Sequence, residues 1–155
     1  MRTAVRSLVA NDNGHFGYRP SYGFQRQSSP SFPILSARLG PMPPGEIYTT
    51  IVNVEEQMRG WLVMVRRSKK VQQEILAYRQ LHDLFTFFAE IPVFDFDEAA
   101  AKRLAQLRRS RVRLGSMDLK IAAIALSRQA TLLSRNLGDF RQVPALRVED
   151  WTQQS

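Results

Sequence analysis

Three carboxylates stand at element junctions: Glu56 follows a predicted strand, Asp118 opens a predicted helix, and Asp139 sits in the loop after a later strand. Carboxylates that converge without histidine or cysteine suit hard, oxygen-seeking ions such as Mg²⁺ or Mn²⁺. Such ions activate water and offset charge on a phosphodiester during an in-line displacement. Each acid also has a plain structural role open to it. Glu56 and Asp118 fall in the first turns of predicted helices, where a negative charge offsets the macrodipole by a few tenths of a kcal/mol, and Asp139 can stabilise a turn. The chain has no cysteine, which excludes a disulfide framework, a thiolate zinc site and a cysteine nucleophile.

The elements that must position these acids follow from periodicity. Ile47 to Val52 is β-branched and aromatic and predicts a strand feeding a helix from Glu55. Apolar residues then recur at helical spacing to about Glu90, with a break near Ser68, so two helices, 55–67 and 71–89, are expected. Pro92 ends that run, and Val93-Phe94 is a short strand. Asp97 caps a helix with Ala100, Leu104 and Leu107 on one face, and Ser116 caps the next, with Ile121, Ala122, Ala125 and Leu126 inward. A strand over 131–134, a loop through Asp139 and Pro144, and a strand over 146–148 complete the pattern. Residues 1 to about 45 hold most of the prolines and glycines, and 11–33 read as irregular. Strands alternating with helices predict an α/β sandwich with a parallel sheet covered on both faces. In open α/β sheets the ligand site lies beyond the carboxyl ends of the strands, and the three acids fall there.

At 155 residues, 44% of them hydrophobic, the chain supports one domain with a sizeable core. No uncharged run approaches the roughly 18–20 residues of a membrane span, and Leu8-Val9-Ala10 is far short of a secretory core. A cytoplasmic protein without a membrane partner is expected. Twenty-two Lys and Arg against fourteen Asp and Glu give a net charge of +8, which favours a polyanionic partner: nucleic acid, anionic membrane or an acidic protein. The densest basic stretch runs from Lys102-Arg103 through Arg108, Arg109, Arg111 and Arg113, and Arg66, Arg67, Lys69 and Lys70 form a second. A solvated helix face is the plain reading of either.

Longer motifs add a resemblance. Asp118-Leu-Lys-Ile-Ala-Ala-Ile-Ala125, then Ala130-Thr-Leu-Leu-Ser-Arg-Asn136-Leu-Gly-Asp139-Phe140, then Val143-Pro-Ala-Leu146 and Trp151 resemble the PIN-domain ribonucleases of the VapC toxin type. Thr50-Ile-Val-Asn-Val-Glu-Glu56-Gln-Met-Arg-Gly60 resembles that family's second motif, a strand leading to a metal-binding glutamate four residues before a glycine. The resemblance spans roughly Gln25 to Trp151. It implies a PIN-like three-layer α/β sandwich and a Mg²⁺- or Mn²⁺-dependent endoribonuclease acting on structured RNA such as tRNA. It further implies the toxin half of a toxin–antitoxin pair, a homodimer that accepts an antitoxin helix in an apolar groove. The candidate groove is formed by helices 55–67 and 71–89 with Trp61, Phe85, Phe87 and Phe88, although core packing is the commoner role for such aromatics. By the same resemblance Glu56, Asp118 and Asp139 occupy three of four acidic positions and hold the metal. Ser134 and Asn136 are auxiliary polar residues that bond water on the ion or a phosphate oxygen. Arg108, Arg109, Arg111 and Arg113 become RNA-binding candidates, since cations that neutralise phosphates supply affinity and little sequence discrimination.

The family's opening motif, an apolar strand ending in Asp-Thr-Asn or Asp-Thr-Asp, is missing. Counting back from Gln25-Arg26 places its aspartate at Gly17, and Asp12 would substitute only with about five inserted residues. A synonymous codon choice for His15-Phe-Gly-Tyr-Arg-Pro-Ser21, read one nucleotide later, spells Ile-Leu-Asp-Thr-Asp-His. Residues 1–24 are therefore read as an atypical, irregular, frame-shifted segment before a PIN domain over 25–155, with the first strand absent or replaced. If the frame stands, the site lacks a principal carboxylate, and a non-catalytic, degenerate toxin that binds antitoxin or RNA becomes the alternative. A basic RNA-binding protein unrelated to toxins is a third reading.

Overall fold

The computed structural model describes residues 6–8, 32–43 and 45–153. Within them, strands β1 (Arg6–Leu8), β2 (Ile47–Thr50), β3 (Val93–Phe94), β4 (Thr131–Leu133) and β5 (Arg147–Glu149) pair in parallel in the order β3-β2-β1-β4-β5. Helices α1 (Phe32–Leu39), α2 (Ile51–Arg67), α3 (Val71–Glu90), α4 (Glu98–Arg109), α5 (Ser116–Ser127) and α6 (Leu137–Phe140) connect them.

Strand β4 shows the layering. Successive side chains on a strand point to opposite faces. Leu132 packs with Val52, Leu104, Leu107, Ile121 and Ile124, whereas Leu133 packs with Leu39 of α1 and Trp151. The expected three-layer α/β sandwich is what the chain forms. Helix α5 is buried at five consecutive positions, Ile121 to Ala125, which is the pattern of a helix enclosed on most sides rather than one with a single apolar stripe. Its alanines let α4 pack closely along it.

The central place in the sheet, expected to be absent or replaced, is held by Arg6-Ser7-Leu8. Arg6 registers with Ile47 on one side and Thr131 on the other. A parallel ladder is made by backbone N–H and C=O groups, so an extended tripeptide of almost any composition can pair the inner edges of β2 and β4. That pairing leaves no open edge between β2 and β4. The remainder of the 1–24 segment, with Asp12 and Gly17, lies outside the described residues.

Four local differences from the expected elements matter. The strand expected over 47–52 stops at Thr50, and Ile51-Val52 begin α2. Helix α1 occupies a stretch partly read as irregular, with Pro33 in its first turn, where the missing N–H costs nothing. The loop through Asp139 contains the single turn of α6, and the helix expected to be capped by Ser116 is capped one residue earlier, at Gly115. The two helices broken at Ser68, the cap at Asp97 and the core face of Ala100, Leu104 and Leu107 stand as the sequence predicts.

Candidate metal and phosphodiester site

Thr50 sets the geometry of the site's first wall. It is fully buried at the end of β2, and its Oγ1 accepts a hydrogen bond from the Asn53 N–H at 3.2 Å, which makes it the N-cap of α2. Because α2 starts at Ile51, Glu56 lies in the second turn, and no acidic residue occupies the first. The macrodipole, which falls off within one turn, therefore leaves Glu56 without its plain structural explanation.

Helix α2 packs on α5, whose first turn carries Asp118. The Asp118 carboxylate turns back toward the helix start, with Oδ2 3.8 Å from where a Cβ on Gly115 would sit. Its charge reaches Glu56. Burial first, and the Asp118 charge second, push the Glu56 carboxyl above the ordinary range, while Arg59 pulls the other way. Arg59 is itself ion-paired with Glu55 one turn back. Two half-buried carboxylates, one of them raising the proton affinity of the other, are a negative pair that a cation would relieve.

The second wall follows β4. Ser134 is buried, continues the ladder by donating its N–H to Glu149 O at 3.0 Å, and accepts the Asn136 N–H on Oγ at 3.0 Å. Asn136 Nδ2 in turn donates to Asp139 Oδ2 at 2.7 Å, in the first turn of α6. Ser134, Asn136 and Asp139 thus form one hydrogen-bonded chain, in which Asn136 holds the aspartate.

Of the three acids expected to converge, the structure brings Glu56 and Asp118 together and leaves Asp139 in its contact with Asn136. Among the described residues no group of three or more His, Cys, Asp or Glu side chains is close enough to hold a metal ion. Sequence reasoning missed one polar residue, Asn53. It is 8% exposed, its Nδ2 donates to Thr49 Oγ1 at 3.3 Å, and its Oδ1 has no hydrogen-bond partner among the described residues. An orphaned buried acceptor costs about 1–3 kcal/mol. The signal that could have found it is the three-residue spacing Thr50, Asn53, Glu56, a polar row on one face of an otherwise apolar helix start. The donor set, carboxylate and carboxamide oxygen without nitrogen or sulfur, fits a hard divalent ion.

Against known proteins, the PIN domain family matches residues 30–146. The chain belongs to the PIN domain family. This PIN domain is 31% identical over 84 residues to the tRNA(fMet)-specific endonuclease VapC of Salmonella typhimurium, covering 52% of the chain and 64% of that protein. It is 36% identical over 78 residues to the enzyme of the same name from Shigella flexneri, covering 48% of the chain and 59% of that protein. The matches thus span about three-fifths of the length of these relatives. In three dimensions it superposes on VapBC-1 from nontypeable Haemophilus influenzae with a TM-score of 0.63 at 20% identity, covering 78% of the chain and 87% of that structure.

Around the PIN domain site, the basic candidates are all exposed. Arg108 and Arg109 end α4, where they also offset its C-terminal dipole. Arg111 and Arg113 alternate with Val112 and Leu114, which pack on the core, along the segment that leads into α5 and Asp118. Arg111 adopts φ 55°, the left-handed region. On the α2–α3 hairpin the aromatics divide. Trp61, Phe87 and Phe88 are half-buried, whereas Phe85 is 60% exposed and lies on α3 with exposed Val71, Ile75, Leu76 and Tyr78. No helix among the described residues is long and apolar enough to cross a membrane.

Proposed function

We propose that this PIN domain is a metal-dependent endoribonuclease, the toxin component of a toxin–antitoxin system, acting in the cytoplasm on RNA of the tRNA class. The observation that carries the reading is the Glu56–Asp118 pair at the carboxyl end of the parallel sheet. The names of the VapC relatives from Salmonella typhimurium and Shigella flexneri support the substrate class. Glu56, Asp118 and Asp139 would hold Mg²⁺ or Mn²⁺, which supplies charge neutralisation at the phosphodiester and a water of lowered pKa. The chain's own residues do the remaining work. Asn136 fixes the rotamer of Asp139, and Ser134 fixes the backbone of Asn136. Arg108, Arg109, Arg111 and Arg113 neutralise backbone phosphates on the approach to α5, which provides affinity without base selection.

The exposed apolar row of α3 suits an amphipathic antitoxin helix or a second copy of the chain, since a face of this kind is costly to leave in water. A second reading, a non-catalytic toxin relative that titrates antitoxin, is favoured by Gly17 at the expected aspartate position. One experiment separates the two. The purified chain is incubated with a tRNA pool in Mn²⁺ and in chelator, with Asp118→Asn in parallel. Cleavage that needs both the ion and Asp118 establishes the nuclease. Intact RNA alongside a stable antitoxin complex establishes the binder.

A further inference from the structure

We propose that Asn53 is an additional oxygen ligand of the divalent-ion site, supplied by the buried carboxamide oxygen that no described group bonds. The inference rests on the metal-dependent reading above and adds to it a residue outside the three acids.

Placement is the first argument. Asn53 lies three residues beyond the end of β2 and three before Glu56 on α2. Residues three apart on a helix are surface neighbours, with Cβ atoms about 5–6 Å apart. Asn53 therefore shares both the face of Glu56 and the sheet end at which Asp118 begins α5. Burial is the second argument. The amide is held from two sides: its backbone N–H is spent on Thr50 Oγ1, and its Nδ2 on Thr49 Oγ1. Thr49 and Thr50 are themselves buried. The one atom this arrangement leaves over is Oδ1, and buried polar atoms in folded proteins nearly always have a partner.

Charge is the third. Glu56, Asp118 and Asp139 already carry more negative charge than a divalent ion needs, and like charges repel. A further carboxylate at position 53 would add to that repulsion whenever the ion is away. A neutral carboxamide oxygen, an ordinary ligand of hard cations, adds a coordination bond without adding charge.

Mn²⁺ binding to the full chain, read by loss of the free-ion electron paramagnetic resonance signal, tests the assignment in the wild type, Asn53→Leu and Asn53→Asp. Melting temperature in chelator serves as the fold control. Asn53→Leu keeps the branched shape and removes the oxygen; it is expected to weaken Mn²⁺ binding at least tenfold while melting no lower than wild type without metal. Asn53→Asp is expected to bind Mn²⁺ more tightly than wild type. Equal affinity of wild type and folded Asn53→Leu overturns the assignment and leaves the metal-dependent reading standing. A wild type that binds no Mn²⁺ overturns both. If Asn53→Leu does not fold, Asn53→Asp decides, and unchanged or weaker binding rejects the ligand role.

Discussion

Glu56 and Asp118 sit on different helices, 62 positions apart in the chain, yet the charge of one raises the proton affinity of the other. The relationship exists because α2 crosses onto α5 at the sheet's carboxyl end. It links stability to pH and to metal with a definite sign.

A carboxyl whose pKa is raised by folding is more protonated folded than unfolded, so its stabilising contribution is complete at low pH. That contribution is lost as pH rises from the ordinary glutamate range through the raised value. Without divalent ions, Glu56→Gln should therefore raise the melting temperature at pH 7. The expected gain is about 1–2 °C, below the ~2–4 °C that 1 kcal/mol gives in a domain this size, because solvent screens a half-buried carboxylate. Adding Mn²⁺ should stabilise the wild type and leave the variant unmoved. Thermal melts at several pH values, with and without the ion, check both statements, and a lower melting temperature for the variant in chelator contradicts the first.

Thr50 does two jobs with one oxygen, ending the strand and starting the helix that carries Glu56. Thr50→Val keeps the shape and removes the cap acceptor, at a cost of about 1 kcal/mol. Urea unfolding should show the midpoint falling with an unchanged slope. An unaltered midpoint would mean that the cap contributes nothing.

Arg111 combines a charge with a backbone angle that side-chain-bearing residues avoid. The left-handed conformation costs about 1–2 kcal/mol, partly offset on substitution by the greater freedom glycine has when unfolded, about 0.5–1 kcal/mol. Arg111→Gly should thus stabilise the protein by roughly 0.5 kcal/mol. The same change should lower the slope of log affinity for RNA against log salt by about 1. A salt titration that shows no change in slope removes Arg111 from the RNA surface, whatever happens to stability.

The reading-frame hypothesis has its own test. Replacing residues 15–20 by Ile-Leu-Asp-Thr-Asp-His should turn the chain into an efficient Mn²⁺-dependent nuclease. Asp118→Asn in that background should abolish cleavage with an unchanged circular dichroism spectrum. A restored chain that folds and cuts nothing rejects the hypothesis.

Elements written in strong local signals were legible in the sequence. Helix α4 has a capping aspartate, a clean apolar row and basic residues in its last turn, and it lies where these predict. Helix α1 was not legible because Pro33 reads as a breaker unless the helix start is already known. The end of β2 was misplaced because Ile51 and Val52 favour strands, and only tertiary packing of Val52 into the core overrides that preference. Within the site, residue identities were readable and proximity was not. No local pattern tells that Glu56 meets Asp118 while Asp139 is occupied by Asn136. Asn53 was hidden for a different reason: its interest lies in an unmade bond, which only three-dimensional surroundings reveal.

The middle strand of the sheet is the earliest in sequence, and its two neighbours come much later, Ile47 on one side and Thr131 on the other. During synthesis β1 must wait for about 125 further residues before the pairing of Arg6 with Thr131 can form. Contacts of such long range slow folding and cannot be made on a half-finished chain. Asp118 is translated shortly before β4, so the nascent chain carries no completed sheet edge for its acids to share until β4 has been made. A site built on this topology is assembled after β4 has been made and not strand by strand as the chain emerges.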